Sequence, residues 1–365
     1  MNIALVRRRF DASGGAELYT QRLIEALLRN GHEVHLYAEA WDDSQTGLRW
    51  HVVDGGGTRS TRARRFAEAV ERALTGNRHD CVLSLERTLG QDVYRAGDGV
   101  HRVWLEQRRR FAPWWKRWMT GLGSFHRGLM ALETETLDPR HTGLVVVNSE
   151  MVRGEIRRCF NFPDDRIRTV RNGVSVDRFQ GIDREAARRR FELGDGDYAL
   201  LFAGSGWERK GLRYAISAAR ALRSTRVTLL VAGRGKAPSN VPDNVRFCGP
   251  LRDVEQAYAA ADLLLCLPIY EPSANVVCEA LATGLPVVTC EQNGAAEWLT
   301  SPELGTVVKD PSDIQAVLRA VESHRARGFT RVRADLGALA LERNVRETLA
   351  VLEEARERRA QLTKR

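Results

Sequence analysis

Two glutamates eight residues apart, Glu271 and Glu279, bracket the stretch Glu271-Pro-Ser-Ala-Asn-Val-Val-Cys-Glu279, which runs on into Ala-Leu-Ala-Thr-Gly-Leu-Pro-Val-Val. The spacing predicts one carboxylate just before a helix and the other inside its second or third turn. A helix start presents backbone N–H groups without intrahelical partners, and these suit an anion. The backbone amides of Ala274, Asn275, Val276 and Val277 are the expected contacts to phosphate and sugar. Glu271 can accept hydroxyl donors beside them, and Glu279 can hold a second polyol further along. The implied ligand has an anionic middle and hydroxyls at both ends, as a nucleotide sugar has. Upstream, Arg209-Lys210 lies in a glycine-flanked loop, Gly204-Ser-Gly-Trp-Glu-Arg-Lys-Gly211. A planar guanidinium beside a compact ammonium would stabilise a diphosphate leaving group, whose charge grows as a glycosidic bond breaks. Taken alone, an Arg-Lys pair is a solvated turn, and Glu271 a helix-start acid held by the macrodipole.

The elements needed to position these groups are legible as strand followed by helix, repeated. Residues 2–6, 34–37, 81–85 and 144–147 read as buried strands, and a second set follows at 199–203, 227–232, 245–247, 263–267 and 287–289. Between the first two, Tyr19, Leu23, Ile24, Leu27 and Leu28 share one helical face over residues 16–30, stopped by Gly31. Asn148-Ser149 is a helix cap, and 212–222 a further helix. This alternation predicts an α/β protein of two Rossmann-like domains with parallel sheets facing each other across a cleft, ligands sitting at the carboxyl ends of the strands. Gly249-Pro-Leu251, beyond a strand, is expected to pass the nucleobase, with Gly249 and Leu251 reading it through the backbone. Gly233-Arg-Gly235 reads as a strand-to-loop turn near the nucleotide or as a purely structural one.

Composition narrows the class. A chain of 365 residues exceeds one ordinary core and predicts two domains. No run approaches the roughly 18 apolar residues of a membrane span, and the apolar part of Met1-Asn-Ile-Ala-Leu-Val is too short for a signal peptide. The six cysteines (81, 159, 248, 266, 278, 290) form no Cys-x-x-Cys pair and read as reduced thiols of a cytosolic protein. The net charge of +9, with arginine supplying 51 of the 56 basic residues, favours anionic partners: a phosphorylated glycolipid, an acidic membrane surface or nucleic acid. No nucleic-acid motif is present, so none is expected as partner. No metal is expected either, because Asp195-Gly-Asp197 fits a turn and no His/Cys cluster occurs.

The first half offers less specific candidates. Gly14-Gly15 after the first strand lets a phosphate or sugar approach the backbone, but the loop lacks the G-x-G-x-x-G spacing of a dinucleotide site. Asp98, in Gly97-Asp-Gly99, can reach a sugar or acceptor hydroxyl, or can be an ordinary turn aspartate; His101 competes with it. Residues 101–132 hold Trp104, Trp114, Trp115 and Trp118 among seven Arg/Lys residues. Basic helices with tryptophan lie in anionic membrane interfaces; the alternative is a helical excursion with buried indoles. Arg59, Arg62, Arg64 and Arg65 either meet acceptor phosphates or form a solvated helix face.

Taken in order, these motifs resemble the retaining family-4 glycosyltransferases of GT-B fold. The likeness rests on Gly14-Gly15, Val170-Arg-Asn-Gly-Val174 with Asp177 and Phe179, the Gly204–Gly211 loop, Val245-Arg-Phe-Cys-Gly-Pro-Leu251 and the paired glutamates. Tyr94-Arg-Ala-Gly-Asp98 and the Trp/Arg-rich segment after it resemble the lipopolysaccharide core glucosyltransferases acting on inner-core heptose. The resemblance implies an acceptor-binding domain over residues 1–170 and a nucleotide-sugar-binding domain over 171–349, with the C-terminal helix (about 350–365) returning to the first. It implies catalytic roles for Asp98, Glu271, Arg209 and Lys210. Gly14, Gly15, Gly204, Gly249, Leu251, residues 274–277 and Glu279 would bind a UDP-sugar, UDP-glucose, as donor substrate, with no further cofactor. Work at the inner face of the cytoplasmic membrane follows, on a lipopolysaccharide core or similar glycolipid. Another donor or acceptor, a nucleic-acid-binding Rossmann protein and a UDP-sugar epimerase are the rival readings.

Overall fold

The computed structural model describes residues 1–9, 15–41, 47–118, 121, 123–328 and 330–363. The chain divides into two compact units, one formed by Met1–Arg171 with the C-terminal segment from Asn344, the other by Asn172–Arg343. In the first unit the strands are β1 (Asn2–Val6), β2 (Glu33–Ala38), β3 (Leu48–Val52), β4 (Cys81–Ser84), β5 (Gln91–Arg95), β6 (Thr142–Val147) and β7 (Ile167–Thr169). They form one sheet in the order β3-β2-β1-β4-β5-β6-β7, every pairing parallel.

Alternation along β1 shows why both faces must be covered. Ile3 and Leu5 pack with Leu23, Ile24 and Leu27 of the helix Gly15–Arg29. Their neighbours Ala4 and Val6 pack with Phe66, Ala69 and Val70 of the helix Arg62–Thr75. Successive side chains of a strand point to opposite faces, so the two helices sandwich the sheet. The C-terminal helix Leu341–Thr363 adds Val351, Leu352 and Ala355 to the Ile3/Leu5 side, beside Val170.

The second unit holds β8 (Tyr198–Ala203), β9 (Val227–Ala232), β10 (Val245–Gly249), β11 (Leu263–Leu265), β12 (Val287–Cys290) and β13 (Gly305–Val308). Their order is β10-β9-β8-β11-β12-β13, again parallel throughout. The chain leaves β8 toward one edge and returns at β11 toward the other, so the strand order reverses between β8 and β11. Loops diverge at such a point and open a crevice at the carboxyl ends. The first sheet has the same reversal between β1 and β4.

Four strands lie outside the sequence-based expectation: β3, β5, β7 and β13. The Trp/Arg-rich segment forms three helices, His101–Arg110, Trp114–Arg117 and Ser124–Thr136. All six cysteines are free thiols, four of them buried. No helix among the described residues is long and apolar enough to cross a membrane.

Candidate functional site

The reversal between β8 and β11 gathers the charged residues singled out in the second unit. After β8 the chain makes a short helical turn, Trp207–Lys210, entered through Gly206 (φ +75°) and left through Gly211 (φ +73°), both left-handed. Gly211 is irreplaceable on steric grounds, since a Cβ there would stand 1.7 Å from the Leu267 carbonyl oxygen. After β11 the chain crosses this turn: the Ile269 amide donates to the Arg209 carbonyl at 2.9 Å. Glu271 is then delivered against both cations. Its Oε2 lies 2.7 Å from Arg209 Nη1 and 3.6 Å from Lys210 Nζ.

The acid is nearly buried, at 8% exposure. Burial pushes the Glu271 carboxyl up, but Lys210 and Arg209 together outweigh it and hold the group below the usual glutamate range. A carboxylate so held stays ionised at neutral pH. Summed over the three groups the charge is +1, beside a helix amino end whose N-cap residue, Ala274, has no side-chain acceptor to cap it. That is an anion-attracting arrangement with a hydrogen-bond acceptor built into it.

The helix start is held by residues that sequence reasoning missed. Asn293, 1% exposed, accepts from the Ala274 amide at 3.2 Å and the Ala295 amide at 3.1 Å, while its Nδ2 donates to Thr289 Oγ1 at 3.0 Å. Glu271 is bonded on both sides of the same loop, its N–H to the Gln292 carbonyl and its carbonyl to the Gly294 N–H. Asn172 Nδ2 donates to the Ser273 carbonyl at 3.1 Å and to Asn275 Oδ1 at 2.7 Å. Of the four amides expected to meet a ligand, Ala274 is engaged by Asn293 and Val277 donates to the Ala274 carbonyl at 3.0 Å. Glu279 lies in the second turn of the helix Asn275–Thr283 and accepts from the Tyr258 hydroxyl at 2.6 Å. Only Asn172 stood in a motif; Asn293 and Tyr258 lie 22 and 13 residues from Glu271 and have no local signature.

The glycines of this region are close approaches. A Cβ on Gly204 (φ +121°) would meet Lys210 Cδ at 2.9 Å, and one on Gly233 would meet the Gly204 carbonyl oxygen at 2.2 Å. Trp207 fills the space between, its Nε1 donating to that same carbonyl at 3.0 Å and its ring 5.5 Å from Phe247. Gly249 ends β10 with φ +68° and its carbonyl accepts from the Gly233 amide, while Leu251 follows half-buried.

In the first unit, Gly14 lies outside the described residues, and Gly15 begins the helix Gly15–Arg29. Asp98 is exposed in the turn after β5, closed by the Gly99 amide on the Ala96 carbonyl. His101 starts the next helix and is half-buried, stacked on His126 with Nε2 3.0 Å from its Nδ1. Burial, then Arg87 and His126 beside it, push the His101 imidazole down to about 4. Its amide donates to Glu133, a 1%-exposed acid that also takes two bonds from Arg87. This ion pair fixes the start of the helix bearing His101 and had no sequence signal. Trp114, Trp115 and Trp118 are 77%, 53% and 70% exposed, whereas Trp104 is half-buried. Of the four clustered arginines, Arg64 pairs with Glu68 and Glu135, Arg62 lies 3.7 Å from Glu39, and Arg59 covers Phe125. Among the described residues no three His, Cys, Asp or Glu side chains converge as metal ligands.

Comparison with known proteins falls on this architecture. The family model for Glycosyltransferase Family 4 matches residues 13–178, and that for Glycosyl transferases group 1 matches residues 197–324. The lipopolysaccharide glucosyltransferase WaaG of Escherichia coli is 25% identical over 336 residues, 85% of this chain and 86% of its own. A probable transglycosylase of Burkholderia thailandensis is 33% identical over 201 residues, 54% of each chain. Among solved structures, a crystal structure of WaaG superposes with TM-score 0.76 at 22% identity over 99% of both chains. That of Anabaena HepE in complex with UDP-glucose gives 0.69 at 15% identity, over 99% of this chain and 100% of its own. With two parallel-sheet Rossmann-like units and both family matches in succession, the chain belongs to the group 1 and family 4 glycosyltransferases of GT-B fold.

Proposed function

We propose that the protein transfers glucose from UDP-glucose, with retention, to an inner-core heptose of a lipopolysaccharide precursor at the inner face of the cytoplasmic membrane. The observation that carries the donor half is Glu271 seated between Arg209 and Lys210 at the β8/β11 reversal. In this reading the two cations and the amides of Asn275 and Val276 take the diphosphate, whose charge rises in the transition state. Glu271 accepts a hydroxyl of the donor sugar, Glu279 holds the ribose, and Gly249 to Leu251 pass the base. Likeness to WaaG and to HepE, whose structure holds UDP-glucose, supports the choice of sugar and acceptor.

Retention needs no covalent glycosyl-enzyme if a phosphate oxygen of the donor takes the acceptor proton on the face of attack. Glu271 suits this: paired with two cations, its carboxylate is a weak nucleophile. Asp98 is assigned to the sugar or acceptor hydroxyl. The exposed Trp114, Trp115 and Trp118 among basic residues support docking on anionic lipid, where each basic residue contributes about 1 kcal/mol.

Thermal-shift titration with UDP, GDP, ADP and several UDP-sugars tests the donor, followed by hydrolysis of whichever nucleotide sugar stabilises the protein. Stabilisation by UDP and UDP-glucose supports the reading; a preference for GDP or ADP would change the donor, and indifference to all three would remove it. Glu271→Gln and Asp98→Asn are expected to lower turnover without trapping sugar, and mass spectrometry showing a glycosylated side chain would refute the mechanism.

A further inference from the structure

Glu279 is held from beneath by a residue that no motif marks. Tyr258, in the helix Val254–Ala260, is fully buried, its ring edge-on to Phe179 with centroids 5.7 Å apart. The surroundings are the apolar core of the second unit, including Ala199, Leu201, Leu264 and Leu281. A phenylalanine would fill such a site without needing a partner. The hydroxyl instead ends 2.6 Å from Glu279 Oε2, the short separation typical of an O–H donor on an ionised oxygen. Burial, and then the charge of Glu279 itself, push the Tyr258 phenol well above its ordinary range, so the proton stays on the ring oxygen. The bond therefore has one direction, from phenol to acid.

We infer that Tyr258 is a positioning residue for Glu279, presetting the carboxylate that reads the ribose hydroxyls of the donor. This rests on the proposal that Glu279 holds the ribose. A glutamate has three side-chain torsions, and freezing them on binding costs conformational entropy. A donor fixed in the core holds one oxygen before the ligand arrives, so less of that cost falls on binding. Tyr258 touches no reacting atom in this scheme. Its loss weakens recognition at the nucleoside end and leaves the chemical step intact.

The test is isothermal titration of UDP against 2′,3′-dideoxy-UDP, with steady-state kinetics on UDP-glucose. In wild type the hydroxyls are expected to strengthen binding about 10-fold or more, as hydrogen bonds to a charged group do. Tyr258→Phe is expected to cut that ratio roughly 3- to 10-fold, to raise KM and to leave kcat within about twofold, with dideoxy binding unchanged. In the Tyr258→Phe/Glu279→Gln double variant the losses should not multiply, since both substitutions disable one device. Phe179→Leu loosens the same core but keeps the hydroxyl, and should retain the wild-type ratio. The inference fails if Tyr258→Phe keeps the wild-type ratio, if the losses multiply, or if Phe179→Leu lowers the ratio equally. A wild type that ignores the ribose hydroxyls would sink the donor assignment of Glu279 as well.

Discussion

Gly204→Ala should separate backbone strain from the placement of Lys210. The residue stands at φ +121°, where an L side chain is strained by about 1–3 kcal/mol. The backbone has little room to rotate out of that region. Its amide donates to the Ala232 carbonyl at 2.8 Å, its carbonyl accepts from Trp207, and Gly233 packs directly against that carbonyl. The strain is therefore expected to appear almost whole in stability. Taking about 2 kcal/mol, and 2–4 °C per kcal/mol for a domain of this size, the melting midpoint of the second unit should fall by roughly 4–8 °C. The added methyl would also stand 2.9, 3.0 and 3.2 Å from Cδ, Cε and Nζ of Lys210. The side chain must swing away, moving its ammonium off the Glu271 carboxylate. UDP affinity, measured by titration calorimetry, should weaken about 10-fold, as expected for a displaced charge-assisted contact of about 1.4 kcal/mol. Gly204→Ala/Lys210→Ala relieves the contact but not the torsion, so its midpoint should stay low. A single variant melting within about 1 °C of wild type and binding UDP equally would refute both halves of the reasoning.

Acid should destabilise the first unit through its histidines. Burial, then His35, His51 and Arg359, push His79 down to about 4, so its protonation favours the unfolded chain. That stability is present above pH 6.5 and lost as pH falls toward 4, on the order of 2 kcal/mol from this residue; urea unfolding at pH 7.5 and 4.5 measures it. Asn293→Ala strands the amides of Ala274 and Ala295, and should cost about 2–3 kcal/mol in thermal denaturation. Replacing Trp114, Trp115 and Trp118 by Ala should leave the midpoint unchanged because the rings are exposed, yet reduce flotation with anionic liposomes. Equal flotation would show that these rings are not the anchor.

Strands buried on both faces were readable because they are apolar runs: β1 and β9 match their expected limits residue for residue. The strands that escaped notice lack that signature. β3 is an edge strand with Trp50 and Val52 exposed, and β7 is three residues long. β5 lies inside the sheet but opens with Gln91 and Asp92, whose polarity is absorbed by Thr142, Thr88, the Val82 amide and Arg359. The same limit applied at the site. Residues in ordered motifs were nameable, whereas Asn293, Tyr258 and Glu133 act through contacts that only the folded chain creates. Residues 101–132 read as basic helical sequence, and the chain there forms three helices, with Pro113 and the glycines 121 and 123 lying between them.

The first unit is discontinuous, and that has a bearing on synthesis. Its core is closed by Val351, Leu352 and Ala355, which leave the ribosome after every residue of the second unit. Residues 172–343 can therefore gather their core while Val170, Ile3 and Leu5 still await a cover. Exposed apolar surface of this kind invites aggregation. Truncation after residue 343 would make that vulnerable stage permanent, which marks the final helix as a late-arriving clasp.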